Sequence, residues 1–130
     1  MIIEKFDYSL DKINEIIHKI LKNIPKNSII IFTGDPGVGK STLIYSIIKF
    51  IEGDMFLLQS PTFTKIHQYP HIIHMDLYEA KNLDNYYHYF DDNKMMLIEW
   101  GELFTIPWDF QIQLQYIDEN NRSLILTKNN

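Results

Sequence analysis

The stretch Ile29-Ile30-Ile31-Phe32-Thr33-Gly34-Asp35-Pro36-Gly37-Val38-Gly39-Lys40-Ser41-Thr42 decides the fold. Four apolar residues in a row read as a buried strand, and a helical apolar pattern resumes at Leu43, Ile44, Ile47, Ile48 and Ile51. Between them Gly34, Gly39, Lys40 and Ser41 fill the G-x-x-x-x-G-K-[S/T] spacing of a phosphate-binding P-loop. The glycines let the backbone turn tightly and bring N–H groups to bear on phosphate oxygens, and the helix starting at Lys40 aims its positive dipole end at the same anion. Lys40 adds a cation for the outer phosphates, the Ser41 hydroxyl can ligate Mg²⁺, and Thr42 can reach an inner phosphate. Four specified positions coincide by chance on the order of once in tens of thousands of starting points, so a glycine turn without phosphate chemistry is the weaker reading. Gly34, Asp35, Pro36, Gly37, Val38, Gly39, Lys40, Ser41 and Thr42 are the expected nucleotide-binding residues.

Around that loop, 130 residues predict one domain, 1–130, with 45% hydrophobic residues to build its core. The formal charge of −5 and the lack of any Lys/Arg run argue against a direct nucleic-acid groove or an anionic membrane surface. Nucleic acid would be reached through a partner. There is no cysteine, which excludes disulfides, thiolate metal sites and cysteine nucleophiles. With no basic leader and no long apolar run, a cytoplasmic protein without a membrane span is expected.

Upstream, Ile2 to Phe6 suits an edge strand. Ser9 suits the N-cap of a helix burying Leu10, Ile13, Ile17, Ile20, Leu21 and Ile24 and stopped by Pro25. Downstream, Gly53 ends the P-loop helix, Phe56-Leu57-Leu58 reads as a buried strand, and Ser60-Pro61-Thr62-Phe63-Thr64 is a hydroxyl-rich turn. Two short strands follow, Lys65 to Tyr69 and His71 to Asp76, turning at Pro70. Leu77 to His88 is expected to be helical, Asp91-Asp92-Asn93 a loop, and Met95 to Ile98 a strand. Phe110 to Tyr116 and Arg122 to Thr127 pair as a hairpin. The sum is an α/β fold, a single P-loop NTPase domain with a mixed, partly parallel central sheet flanked by helices, binding its nucleotide at the carboxyl ends of the strands.

P-loop chemistry needs an acid at the end of a neighbouring strand to hold Mg²⁺, and a group to orient the attacking water. Glu99, closing Met95 to Ile98, and Asp76, closing Ile72 to Met75, both qualify. The hydroxyls of Thr62 and Thr64 are candidates for a segment that senses the γ-phosphate. His67, His71 and His74 cluster in sequence, but their spacing does not force three ligands onto one face, so structural or surface roles are expected. Tyr86, Tyr87 and Tyr89 are expected to pack rather than stack on bases, because no basic residues interleave them.

Gly34 to Thr42, Ser60-Pro61-Thr62-Phe63-Thr64, His74-Met75-Asp76-Leu77-Tyr78 and Ile98-Glu99-Trp100-Gly101-Glu102 together resemble the TsaE family, formerly YjeE. These are small bacterial ATPases of the threonylcarbamoyladenosine tRNA-modification pathway. The resemblance implies an Mg²⁺- and ATP-dependent cytoplasmic ATPase that docks on the TsaD–TsaB pair and meets tRNA only through that complex. It implies Lys40 as the phosphate lysine and Ser41 and Glu99 as Mg²⁺ ligands. Asp76 falls near the γ-phosphate, Thr62 becomes the switch hydroxyl with Ser60 and Thr64 beside it, and Trp100 becomes a functional tryptophan. The turn around Tyr8 to Leu10 and the region of Arg122 fall near the adenine. Three positions depart from the family pattern: Ser41 for threonine, Glu79 for arginine and Gly101 for proline.

Two other functions remain to be weighed. A small-molecule kinase clamps the moving phosphoryl group with several arginines, whereas this chain has one, Arg122. A nucleotide-gated interaction module that does not hydrolyse is the stronger rival, because no arginine finger is evident in cis. A GTPase is disfavoured, since Asn93-Lys94-Met95-Met96 lacks the aspartate of the guanine-reading motif.

Overall fold

The apolar run Ile29–Thr33 (β2) has no solvent-facing side, and it lies where a strand of that kind is stable, inside the sheet. The computed structural model describes residues 1–54, 65–91 and 93–130. Among these, the strands are β1 (Ile2–Ser9), β2, β3 (Ile66–Gln68), β4 (Ile72–Asp76), β5 (Met95–Glu99), β6 (Phe110–Asp118) and β7 (Asn121–Lys128). They form one sheet in the order β1-β7-β6-β2-β5-β4-β3. β2 runs parallel to both β5 and β6, and β4 runs parallel to β5. β3, β7 and β1 join antiparallel. This is the mixed, partly parallel α/β sheet expected.

Alternation along the strands divides the core. Ile30, Phe32, Ile72, Met95 and Leu97 face helices α1 (Ile13–Leu21) and α2 (Lys40–Glu52), packing with Ile17, Ile20, Leu43, Ile44, Ile47 and Ile48. Ile31, Ile73, Met75, Met96 and Ile98 face the other way, with Leu77 and Leu83 and the flanks of Trp100, Phe104, Ile106 and Trp108. Because the period is two, His74, Asp76 and Glu99 fall on the helix side. The register then pairs Asp76 with Glu99 at the carboxyl ends of β4 and β5. At the other ends, Asp109 ties β2 to β6: its N–H donates to Ile29 O and its Oδ2 accepts the Ile29 N–H at 2.7 Å.

Four expectations change. Ser9 is the last residue of β1 and makes no side-chain cap to the helix; a 3₁₀ turn, Leu10–Lys12, intervenes, and the Ser9 hydroxyl donates to Asp11 Oδ1. The first helix ends at Leu21, four residues before Pro25, although Ile24 is still buried. Leu77 to His88 is not a helix but a series of turns leading into a 3₁₀ segment, Tyr87–Asp91. Asn82 Oδ1 accepts the Asp84 N–H, a backbone donor that a continuing helix would have needed, while at the start of the segment Asp76 Oδ1 accepts the Tyr78 N–H. Asp91 accordingly closes that segment, with Asp92 outside the described residues. So are the Phe56-Leu57-Leu58 strand and the Ser60, Thr62 and Thr64 hydroxyls. Tyr86 and Tyr89 pack against the sheet face opposite α1 and α2, and Tyr87 is exposed.

Gly101 is wedged where β5 leaves the sheet. A β-carbon there would stand 2.8 Å from Ile106 Cδ1 and 3.0 Å from Ile31 Cγ2. Gly101→Ala should therefore destabilise the fold by about 1–3 kcal/mol through overpacking, read as a lower urea midpoint with an unchanged slope.

Candidate functional site

The loop between β2 and α2 takes the backbone form that its glycines permit, with φ of +140° at Gly34, +81° at Gly37 and +109° at Gly39. The Val38 N–H donates to Asp35 O at 3.1 Å, closing the turn, and the Val38 side chain is buried. Gly34 is backed by β6: a β-carbon there would lie 2.6 Å from Leu114 O. Pro36, Gly37, Gly39, Lys40, Ser41, Thr42, Asp76, Tyr78, Glu99 and Trp100 line one cavity of about 520 Å³ at the carboxyl ends of β2, β4 and β5. Six of the nine loop residues expected from the sequence thus share one place with both strand-end carboxylates and Trp100, whereas Gly34, Asp35 and Val38 do not line the cavity.

Within it, the buried Lys40 ammonium donates to Gly34 O at 2.5 Å and lies 3.9 Å from the centre of the Trp100 ring. Ser41 Oγ donates to Glu99 Oε1 at 3.1 Å, and His74 Nε2 is 2.9 Å from Glu99 Oε2. Burial alone would push the Glu99 carboxyl up. The hydrogen bond and charge of His74, the Ser41 hydroxyl and the Lys40 ammonium outweigh it and hold the group below its ordinary value. An ionised carboxylate only accepts, so Nε2 of His74 carries the proton that faces it. His74 Nδ1 is buried without a hydrogen-bond partner among the described residues, while Tyr45 and His67 pack edge-on against the ring.

No three carboxylate or imidazole groups among the described residues form a closed metal cage. The Ser41–Glu99 pair suits Mg²⁺ nonetheless, because that ion takes hard oxygens and uses one or two protein ligands beside water and phosphate.

The sequence profile described as "Threonylcarbamoyl adenosine biosynthesis protein TsaE" matches residues 8–124. The chain belongs to the TsaE family. The tRNA threonylcarbamoyladenosine biosynthesis protein TsaE of Rickettsia typhi is 30% identical over 120 residues, 84% of this chain and 83% of that protein. Its namesake in Rickettsia bellii is 32% identical over 112 residues, 78% of each. The crystal structure of Bacillus subtilus YdiB superposes with a TM-score of 0.70 at 22% identity, covering 98% of this chain and 87% of that one, and so shares the fold.

Of the departures from the TsaE pattern, Ser41 keeps a working hydroxyl and Glu79 is exposed. A β-carbon at Gly101 would require the Ile106 side chain to shift. The three histidines part company. His74 holds Glu99, His67 pairs with it across β3 and β4, and His71 lies at the far end, bonded to Glu52 by its N–H and by Nδ1, each at 2.8 Å. Two residues named from the sequence take roles it did not assign, His74 on Glu99 and Arg122 on the loop backbone. The role of His74 could have been found, since Ile72, His74 and Asp76 alternate onto the face that carries Glu99. Arg122, whose Nε donates to Val38 O at 2.6 Å from 84 residues away, left no local signal. Among the described residues no helix is long and apolar enough to cross a membrane.

Because the folded Glu99 carboxyl ionises below its ordinary 4.5, its contribution to stability is complete above that value and is lost as pH falls through the lowered one. Glu99→Gln should flatten the acid limb of stability against pH, as measured by urea midpoints between about pH 7 and 3. An acid limb as steep as wild type would assign the effect to other groups.

Proposed function

We propose that this TsaE-family chain is a Mg²⁺-dependent ATPase that acts with TsaD and TsaB in forming threonylcarbamoyladenosine in tRNA. The observation that carries it is the convergence of the P-loop, Lys40, the Ser41–Glu99 pair and Asp76 on one cavity. Backbone N–H groups of the loop cradle the phosphates, and Lys40 exchanges Gly34 O and the Trp100 face for phosphate oxygens. Ser41 and Glu99 hold Mg²⁺, which when bound offsets phosphate charge. Asp76, beside Glu99 and less buried, orients the attacking water, and His74 keeps Glu99 ionised and in place. The nucleotide chemistry is cytoplasmic, and tRNA is met only through the complex.

Hydrolysis by the isolated chain is slow. Lys40 is the one cation among the described residues lining the cavity, and the lone arginine is engaged behind the P-loop. An arginine finger contributes about 10³–10⁵ in rate, so a partner that supplies such a charge, or orders the loop around it, would accelerate turnover. The same shortage of cations disfavours a small-molecule kinase. It also keeps a non-hydrolysing, nucleotide-gated module as the second reading.

The deciding experiment measures ATP hydrolysis by wild type and Lys40→Ala, alone and with the TsaD–TsaB pair. Wild type should be slow alone and rise with the pair, with Lys40→Ala flat in both. ATP binding without hydrolysis under any condition would favour the gated module. A finer check concerns His74, which touches the Mg²⁺ ligand rather than the ion. His74→Ala should weaken the apparent Mg²⁺ affinity about 10-fold or more, seen in Mg²⁺ titrations of nucleotide binding, and an unchanged titration would reduce His74 to packing.

A further inference from the structure

Arg122 is buried at the start of β7, flanked in register by Tyr8 of β1 and Tyr116 of β6. Among the described residues no carboxylate forms an ion pair with it. Its Nη1 donates to Asp118 O at 2.6 Å and Asn121 O at 2.9 Å, closing the β6–β7 turn, and Cζ lies 4.8 Å from the Tyr116 ring centre. The remaining bond leaves the hairpin: Nε donates to Val38 O at 2.6 Å. A guanidinium taken from water and given carbonyls in place of an ion-pair partner is costly, and the bonds it makes are strong.

The carbonyl it grips belongs to the Val38–Gly39 peptide. In a trans peptide the C=O and the following N–H point in opposite directions, and no cis bond occurs among the described residues. Holding Val38 O toward Arg122 therefore aims the Gly39 N–H away from it. Gly39, at φ +109°, has no side chain to fix that plane, and its absent β-carbon would be 3.7 Å from Arg122 Nε. The same hairpin backs the other end of the loop, where Leu114 O closes on Gly34.

We infer that Arg122 is a positioning residue. It locks the Val38–Gly39 peptide so that the Gly39 N–H is preset for phosphate, and it ties phosphate affinity to the β6–β7 turn without touching the ligand. This rests on reading the P-loop as a phosphate site.

The test compares binding of MgADP and of inorganic pyrophosphate to wild type, Arg122→Gln and Arg122→Lys by calorimetry, with thermal melts alongside. Arg122→Gln should weaken both ligands by about 10-fold, the scale of one charge-assisted hydrogen bond acting through the peptide. Arg122→Lys, which keeps the charge but not the fork, should recover only part. Weakened MgADP with unchanged pyrophosphate would place Arg122 against the base or ribose and overturn the inference, and so would unchanged binding of both. Wild type that binds neither ligand removes the phosphate-site reading and this inference with it, whereas normal wild-type binding with an unaffected variant removes this inference alone. Should the variants fail to fold, NMR of wild type decides. The Arg122 Nε–H should be protected from exchange and, with the Gly39 amide, should shift on adding pyrophosphate; a freely exchanging, unresponsive Nε–H overturns it.

Discussion

The Glu99 carboxylate, 6% exposed, is the group around which the rest must be arranged. An ionised acid in that position is unfavourable by several kcal/mol unless hydrogen bonds and opposite charge offset the lost hydration. Two segments supply the offset: β4 through His74, and the first turn of α2 through Lys40 and Ser41, both facing Glu99 at the end of β5. Each contribution depends on register. A one-residue slip of β4 against β5 would turn His74 to the opposite face and leave the carboxylate unpaired. The apolar pattern that prevents such a slip, Ile72 inward on one side and Ile73 and Met75 on the other, is therefore also what keeps the site charged.

Lys40 meets a related constraint. Its ammonium is buried and, without phosphate, needs substitutes, which it finds in the Gly34 carbonyl and the Trp100 ring face. Trp100 presents that face from a left-handed backbone, φ +63°, a conformation that costs a non-glycine residue about 1–3 kcal/mol and persists only where its surroundings enforce it. Next to it Gly101 is closely packed, with Ile31, Ile98 and Ile106 around it. A neutral carbonyl and a π face hold the ammonium more weakly than a polyphosphate would, so the lysine is kept in place yet exchangeable.

The sequence made β2, the loop, α2, β4, β5 and the hairpin legible because continuous apolar runs, helical spacing, alternation and the spacing of glycines are local signals. It also located Glu99 and Asp76, since a carboxylate at the end of a buried run has few other reasons to be there. Leu77 to Asp91 was illegible as turns. Its residues tolerate a helix, and the bond that Asn82 Oδ1 takes from the Asp84 N–H is one that no apolar pattern announces. Arg122 was illegible for a similar reason: its partner is a backbone carbonyl, which no side-chain pattern announces. Counted as an arginine missing from the phosphates, it is also an arginine holding the loop that would bind them.

That placement bears on why the chain should need a partner under the proposed function. Arg122 spends its donors on carbonyls behind the loop, and Asp76 and Glu99 stand side by side in front of it with Lys40 as the opposing cation. A polyphosphate entering there would meet, among the described residues, one positive side chain and two negative ones, a balance that favours binding only when a divalent cation separates the carboxylates from the phosphates. Charge developing at the transition state would still lack a second fixed cation. Rigidity behind the loop can preset the N–H groups, but it cannot add charge in front. Under the proposed function the described residues are therefore better suited to holding a nucleotide than to cleaving it quickly, until some other surface closes over the cavity.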